Sequence, residues 1–139
     1  MAGMIWANTV STADLDESVT GTAHLFQARV DKVGDVRVTV VGDRVFAVRI
    51  DGGQLDWRAH YPSLTYTLIP CPPDTRHAIG AYMTTYGLLF AAFDFALTAS
   101  GEWVFLESNP NGQWAWIAEQ EDAVAEALAD LLQKGHPPL

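Results

Sequence analysis

Positive charge and cysteine are both scarce in this sequence. Only 8 of the 139 residues are Lys or Arg, against 17 Asp or Glu, which gives a formal net charge of −9. Because no basic cluster offsets the acidic excess, we expect no nucleic-acid partner. The single cysteine, Cys71, excludes an intramolecular disulfide framework and a multi-cysteine zinc site. Such sparing use of cysteine is typical of the reducing cytoplasm, where we expect the protein to be located.

Hydrophobic runs long enough to span a bilayer are missing as well. The longest apolar stretch, Tyr86 to Leu97, is interrupted by Asp94, and the N-terminus lacks the basic region of a signal peptide. We therefore expect no membrane partner. Instead, 49% of the residues are apolar and 11% are aromatic, which is enough for the core of a soluble domain. No linker, repeat or low-complexity tract divides the chain, so residues 1–139 are interpreted as one domain.

Apolar runs, alternating or continuous, predict strands along much of the chain. The dipeptide Gly42-Asp43 predicts a tight hairpin between two of these strands, and the tripeptide Ala99-Ser100-Gly101 predicts a turn between two others. The predicted strands cover residues 4–10, 23–30, 35–41, 44–50, 64–69, 87–97 and 102–108.

Two segments have helical periodicity. One runs from a capping Asp74 to about Tyr86, with Gly87 as its stop, and the other begins at Glu121. The acidic stretch of residues 12–18 also begins with helix-capping chemistry. The order of the elements predicts an α+β fold with a mostly antiparallel sheet and flanking helices. The positions expected to face the core are Ile79, Met83, Tyr86 and Phe90 in the first helix and Val124, Ala127, Leu128, Leu131 and Leu132 in the second.

Two carboxylates interrupt the apolar strands of the C-terminal hairpin. If this hairpin turns around Ser100, Asp94 lies opposite Leu106 or Glu107. Two close acids in an apolar setting need a shared proton or a cation, and Asn109 adds an amide oxygen two residues beyond Glu107. An all-oxygen set made of Asp94, Glu107 and Asn109 suits Mg²⁺.

Other interpretations of these acids stay open. Asp94 can instead form an ion pair with an arginine while Glu107 merely ends its strand, or the two acids can serve as the general acid and nucleophile of a glycosidase. Trp114 and Trp116 are expected to pack between the loop and the final helix, and Cys71 is expected to be a packed thiol. No metal site is expected at the scattered histidines, which are His24, His60, His77 and His136.

Two arginines lie on the strands that flank Gly42-Asp43. The hairpin is expected to bring Arg37 and Arg49 nearly opposite each other. Two facing arginines repel unless an anion or acidic side chains lie between them, so this arrangement favours an anionic ligand. The alternative is that Arg37 pairs with Asp35 or another surface acid.

The segments AFDF, with Asp94, and FLESNPNG, with Glu107 and Asn109, resemble the C-terminal metal-binding region of the ATP-grasp carboxylate ligases. The resemblance continues through LFQARV, GDVRVTVVGDRVFAVRI and LDWR upstream and GQWAWIAE downstream, and it extends from about Ala7 to Leu132. Together these segments are similar to the microviridin or graspetide type of ligase. Enzymes of that type join Asp or Glu side chains to Ser, Thr or Lys side chains of ribosomal peptides.

The resemblance implies roles for individual residues. Asp94, Glu107 and Asn109 are expected to hold Mg²⁺ that bridges the phosphates of ATP. Arg37 and Arg49 are the expected catalytic cations for the γ-phosphate and the acyl-phosphate. The resemblance also implies nucleotide contacts by Gln27, Ala28 and Val30, with Asp31 or Lys32 at the ribose, and contacts to the peptide by Asp56, Trp57 and Arg58.

Some parts of an ATP-grasp enzyme have no counterpart in this sequence. Neither the glycine-rich phosphate loop nor the lysines over the α- and β-phosphates are found. Residues 1–139 are therefore expected to be a partial, C-terminal ATP-grasp domain, active as a ligase on a precursor peptide only with an N-terminal portion in trans or in a homodimer. The alternative is a truncated, non-catalytic module that binds nucleotide or peptide, or that dimerises.

Overall fold

The protein forms an antiparallel five-stranded sheet with two α-helices, as seen in a computed structural model that describes residues 7–52, 55–56 and 63–134. The strand order is β3-β2-β1-β4-β5. This architecture confirms the predicted α+β fold. The strands are β1 (Lys32–Val41), β2 (Arg44–Asp51), β3 (Thr65–Ile69), β4 (Phe90–Thr98) and β5 (Trp103–Asn109), and the helices are α1 (Pro73–Thr85) and α2 (Glu121–Lys134).

Both predicted hairpin turns are present. Gly42 has a φ of 60° in the β1–β2 turn, and Gly101 has a φ of 84° in the β4–β5 turn, a backbone region that glycine enters at little cost. The centre of the sheet is made by β1 and β4, which pair antiparallel with Arg37 opposite Asp94. This pairing brings Arg37 and Asp94, which are 57 positions apart in sequence, into direct contact.

The two faces of the sheet have different coverings. On one face, α1 contributes Ile79 and Met83 to a core that includes Val38 and Phe93. On the other face, α2 contributes Val124 and Ala127 to a smaller apolar cluster. Trp114 packs against this smaller cluster, as predicted. The part of this sheet face that lies outside the apolar cluster carries polar side chains.

Two of the predicted strands are wrong where the structure describes them. Residues 23–30 form no strand, and Leu25 and Phe26 are 81% and 55% exposed. The segment meets the edge of the sheet through a side-chain bond, from Gln27 Nε2 to the carbonyl oxygen of Leu106 (3.1 Å), and it therefore lacks a backbone partner that would make it a strand. Residues 7–10 are also irregular, and residues 1–6 lie outside the described part.

The capping predictions are met in part. The acidic stretch forms two short 3₁₀ turns, and Asp16 accepts a bond from the backbone N–H of Ser18 (2.8 Å) at the second. Pro72, rather than Asp74, is the N-cap of α1, which places Asp74 in its first turn. Gly87 follows this helix with a φ of 61°, as expected of a stop.

Three of the positions predicted to face the core differ from expectation. Tyr86 is 64% exposed, Leu132 is 81% exposed, and Phe90 is the first residue of β4 rather than part of the helix. Tyr86 follows the last residue of α1, and Leu132 lies in the last turn of α2, so the predicted apolar stripe reaches too far at the end of each helix. Neither described α-helix is long and apolar enough to cross a membrane.

Phe93 tests the importance of the α1-side core. Its ring is 1% exposed and makes an edge-to-face contact with Tyr82 at 5.3 Å. We expect Phe93→Ala to lower the free energy of unfolding by about 3–5 kcal/mol, because it removes a large buried ring and leaves a cavity. Urea denaturation measures the change. Leu68→Ala, on the exposed edge strand, is the control and should change stability by about 0.5 kcal/mol or less; equal losses in both variants would contradict this assignment of the core.

Candidate functional site

The two carboxylates of the C-terminal hairpin lie directly opposite each other. Asp94 on β4 pairs with Glu107 on β5, which confirms the predicted register. Asn109 pairs with Ala92, and Arg37 on β1 pairs with Asp94 from the other side. Paired residues share a face and alternate residues return to it, so Arg37, Asp94, Glu107 and Asn109 lie on one face. It is the face that α2 partly covers.

A buried ion pair lies at the centre of this face. Arg37 Nη1 is 2.7 Å from Asp94 Oδ2, and the two residues are 6% and 8% exposed. Arg37 Nη2 also donates to the carbonyl oxygen of Gln113 at 3.1 Å. The structure therefore realises the interpretation in which Asp94 pairs with an arginine, and it identifies Arg37 as the partner.

The ion pair leaves one hydrogen-bonding atom of each partner unused. Asp94 Oδ1 and Arg37 Nε are buried and have no hydrogen-bond partner in the described part of the chain. A buried polar atom without a partner is costly and is uncommon outside functional sites. Asp94 Oδ1 is therefore an open acceptor in a position where a cation would satisfy it.

The neighbouring oxygens fit a hard divalent cation. Glu107 and Asn109 are exposed, and Asn109 Oδ1 accepts from the backbone N–H of Asn111 at 2.9 Å. Within the described residues, no three His, Cys, Asp or Glu side chains come close enough together to hold a metal ion. Two carboxylates and an amide suit Mg²⁺, whose remaining ligands are usually water and phosphate. The residues therefore fit Mg²⁺ that arrives with a phosphate ligand.

The loop after β5 is packed directly against the ion pair, a feature that the sequence analysis missed. A Cβ atom on Gly112 would lie 2.5 Å from Ala92 Cβ and 2.8 Å from Arg37 Nη2. Only glycine therefore allows the loop to approach closely enough for Gln113 to reach the guanidinium. The available signal was the glycine in NPNG, three residues after Asn109.

A second missed contact holds β5 from the opposite face. The hydroxyl groups of Tyr82, on α1, and Ser108 are 2.5 Å apart. Ser108 lies between Glu107 and Asn109 in sequence, so this bond connects the α1-side core to the strand that carries both candidate ligands. No sequence spacing predicts the contact, because it joins a helix and a strand that are 26 residues apart.

Comparison with solved structures shows what this arrangement resembles. A RiPP-associated ATP-grasp ligase from Chryseobacterium gregarium, solved in complex with ADP and with a leader and core peptide, is 26% identical and superposes with a TM-score of 0.82. The match covers 96% of this chain and 43% of that one. This chain has the fold of RiPP ATP-grasp ligases.

Two macrocyclases from Microcystis aeruginosa MRC give the same result. MdnB is 32% identical over 79% of this chain and 41% of its own, and MdnC, bound with precursor peptide MdnA, is 27% identical over 76% and 34%. Both superpose with a TM-score of 0.65. The chain thus spans less than half the length of these ligases. No protein-family model matches it, and no curated protein does.

The second arginine implied by the ATP-grasp resemblance lies elsewhere. The two-residue turn pairs Val41 with Arg44, so Arg37 faces Val48, and Arg49 faces Val36. This offset of one residue places the two arginines on opposite faces of the sheet. The expectation that they face each other is therefore wrong. Arg49 donates to both carboxylate oxygens of Asp51, at 2.8 to 2.9 Å.

Lys32, expected on the nucleotide side of an ATP-grasp site, forms an ion pair within the chain. Its Nζ lies 2.6 and 2.7 Å from the two carboxylate oxygens of Asp35 and donates to the carbonyl oxygen of Leu55 at 2.8 Å. Burial raises the pKa of the Asp35 carboxyl, and the bond from Lys32 opposes part of that increase. The alternative in which Asp35 pairs with Arg37 is therefore wrong, because Lys32 holds it.

The other expected contact residues are only partly brought together. Val30 lines a small cavity of about 190 Å³ with Lys32 and Asp35, whereas Gln27 contacts β5 and Ala28 is exposed. Asp56 is 6% exposed and accepts a bond from the backbone N–H of Ala7 at 3.1 Å, so its carboxylate already has a partner within the chain. Trp57 and Arg58 lie outside the described residues.

Gly112 provides a direct test of the loop packing. We expect Gly112→Ala to lower the free energy of unfolding by about 1–3 kcal/mol, because its Cβ overlaps Ala92 and the Arg37 guanidinium. Gly80→Ala, in the middle of α1 with no atom within 4 Å of the added Cβ, is the matched control. It should raise stability by about 0.5–1 kcal/mol. Thermal unfolding measures both variants, and a Gly112→Ala protein as stable as Gly80→Ala would refute the close approach.

Proposed function

We propose that this chain is part of an ATP- and Mg²⁺-dependent carboxylate ligase that acts on a ribosomal precursor peptide. The observation that carries the proposal is the alignment of Arg37, Asp94 and Glu107 across three adjacent strands, with one buried oxygen of Asp94 left without a partner. The ligase that superposes over 96% of the chain is in complex with ADP and peptide, which supports the same conclusion.

The residues of the α2-side face have distinct roles in this proposal. Asp94, Glu107 and Asn109 would hold Mg²⁺, with the open Oδ1 of Asp94 as a central ligand. When bound, Mg²⁺ would neutralise charge on the β- and γ-phosphates. Arg37 would stabilise the transferred phosphoryl group from the side of β1. The peptide carboxylate receives this phosphoryl group, and a hydroxyl or amine of the peptide then displaces phosphate, leaving an ester or amide.

The proposal extends to the remaining residues and to the missing half of the site. Gln27, Ala28, Val30 and Lys32 are the proposed nucleotide contacts, Arg49 a second cation, and Asp56, Trp57 and Arg58 the proposed peptide contacts. Because the chain spans 34–43% of the compared ligases, we propose that an N-terminal ATP-grasp portion, or a second copy in a homodimer, completes the ATP site.

The exposed apolar side chains favour a second candidate function. Leu25, Phe26 and Phe105 are 81%, 55% and 51% exposed, and large apolar side chains are often exposed where a protein associates with another. A non-catalytic module derived from such a ligase would use this surface to dimerise or to bind peptide. Such a module would dimerise or bind peptide but would not hydrolyse ATP. The ligase would turn over ATP once its partner completes the site.

Metal-dependent nucleotide binding tests the proposed function. We expect Asp94→Asn and Glu107→Gln each to weaken ADP binding in the presence of Mg²⁺ by about tenfold or more, because each removes a charged ligand. Isothermal titration calorimetry with and without Mg²⁺ measures the effect. Glu102→Gln, in the exposed β4–β5 turn, makes the same change of charge and should bind as the unaltered chain does. An ADP affinity that changes neither when Mg²⁺ is removed nor when Asp94 is substituted would contradict the proposal.

A further inference from the structure

We propose that Arg37 makes the candidate site selective for a metal–polyphosphate complex over a free divalent cation, an inference that rests on the proposed function. Arg37 and Asp94 neutralise each other in a buried position, where uncompensated charge is unfavourable. The pair therefore adds no net charge to the site, and the exposed carboxylate of Glu107 adds one negative charge. A bare cation or a bare phosphate meets a charge of its own sign here, whereas a ligand with both signs of charge can place each beside its opposite.

The unused atoms of the pair are complementary to a ligand of both signs. Asp94 Oδ1 is an acceptor without a partner, and Arg37 Nε is a donor without one, in the described part of the chain. A divalent cation alone would satisfy Asp94 Oδ1 while being repelled by the guanidinium. A phosphate alone would satisfy Arg37 and be repelled by the carboxylates of Asp94 and Glu107. A phosphate-bound cation carries a partner for each of the two atoms.

The packing around Arg37 keeps its guanidinium from moving away from a cation bound at Asp94. Nη1 is bonded to Asp94 and Nη2 to the carbonyl oxygen of Gln113, so two of the three guanidinium nitrogens are held. Gly112 and Ala92 close the space beside the Nη2 atom. A free cation at Asp94 therefore remains close to a fixed positive charge. A carboxylate pair on an open strand, without this arginine, would bind free Mg²⁺ or Mn²⁺ more readily.

Substitution of Arg37 by a neutral residue tests the inference with Mn²⁺ as the probe. We expect Arg37→Met to bind free Mn²⁺ at least about tenfold more tightly than the unaltered chain, because a fixed positive charge beside the ligand is lost. The electron paramagnetic resonance signal of unbound Mn²⁺ gives the affinity. The factor by which ADP strengthens Mn²⁺ binding should be smaller in Arg37→Met, since coupling between two ligands is a property of the residues that link them.

Two further variants make the comparison decisive. Arg76→Met is the control, because it makes the same change of charge at an exposed arginine bonded to the carbonyl oxygen of Asp43. Arg37→Gln repeats the test with a side chain that can still donate to Asp94, in case Arg37→Met does not fold. Free Mn²⁺ bound no more tightly by the folded Arg37 variant than by Arg76→Met would overturn the inference. Absence of Mn²⁺ binding in every variant, with ADP or without it, would contradict the proposed function itself.

Discussion

The ion pair between Arg37 and Asp94 is the interaction on which the organisation of the site depends. It joins the two central strands, and it is almost completely buried. Burial of both charges is stable only while they remain paired, because removal of either partner leaves an uncompensated charge in the sheet. The register of β1 and β4 is constrained by the same requirement. A slip of one residue would send Arg37 and Asp94 to opposite faces.

This constraint also explains why the two faces differ. The α1-side face is apolar at its centre, with Val38 and Phe93 fully buried. The α2-side face carries the ion pair, and next to it Gln120 donates to the hydroxyl of Thr39 at 3.3 Å. The buried polar side chains of the described strands, Asp35, Arg37, Thr39 and Asp94, thus share one face, which the loop after β5 approaches. The other side supplies the apolar burial that stabilises the fold.

The parts that the sequence predicts well depend on local chemistry. Turn residues and period-two alternation predict the two hairpins, and the turn around Ser100 places Asp94 opposite Leu106 or Glu107, of which the structure has Glu107. Local patterns failed where the outcome depended on distant partners. Residues 23–30 alternate as a strand does, but they form no strand in the structure, and Gln27 reaches β5 through its side chain. Sequence alternation does not show whether a neighbouring strand is available for pairing.

Single-residue offsets and long-range contacts account for the other differences. The β1–β2 turn lies at Gly42-Asp43 as predicted, but this turn pairs Arg37 with Val48 and Arg49 with Val36, so the two arginines are offset by one residue. The contact of Gly112 with Ala92 and the bond between Tyr82 and Ser108 join residues from different elements, so no spacing in one segment encodes them. Residue types therefore suggest the candidate ligands, whereas the contacts that support them are seen only in the fold.

The central claim is that the oxygens of the α2-side face form a metal site that works with phosphate. Crystals of the chain grown with Mn²⁺ and ADP, examined by anomalous diffraction, test it most directly. The account predicts one manganese peak in contact with Asp94 Oδ1 and Glu107, bridged to a phosphate oxygen of ADP. A manganese peak bound to other residues, with the Asp94 carboxylate contacting only Arg37, would contradict it.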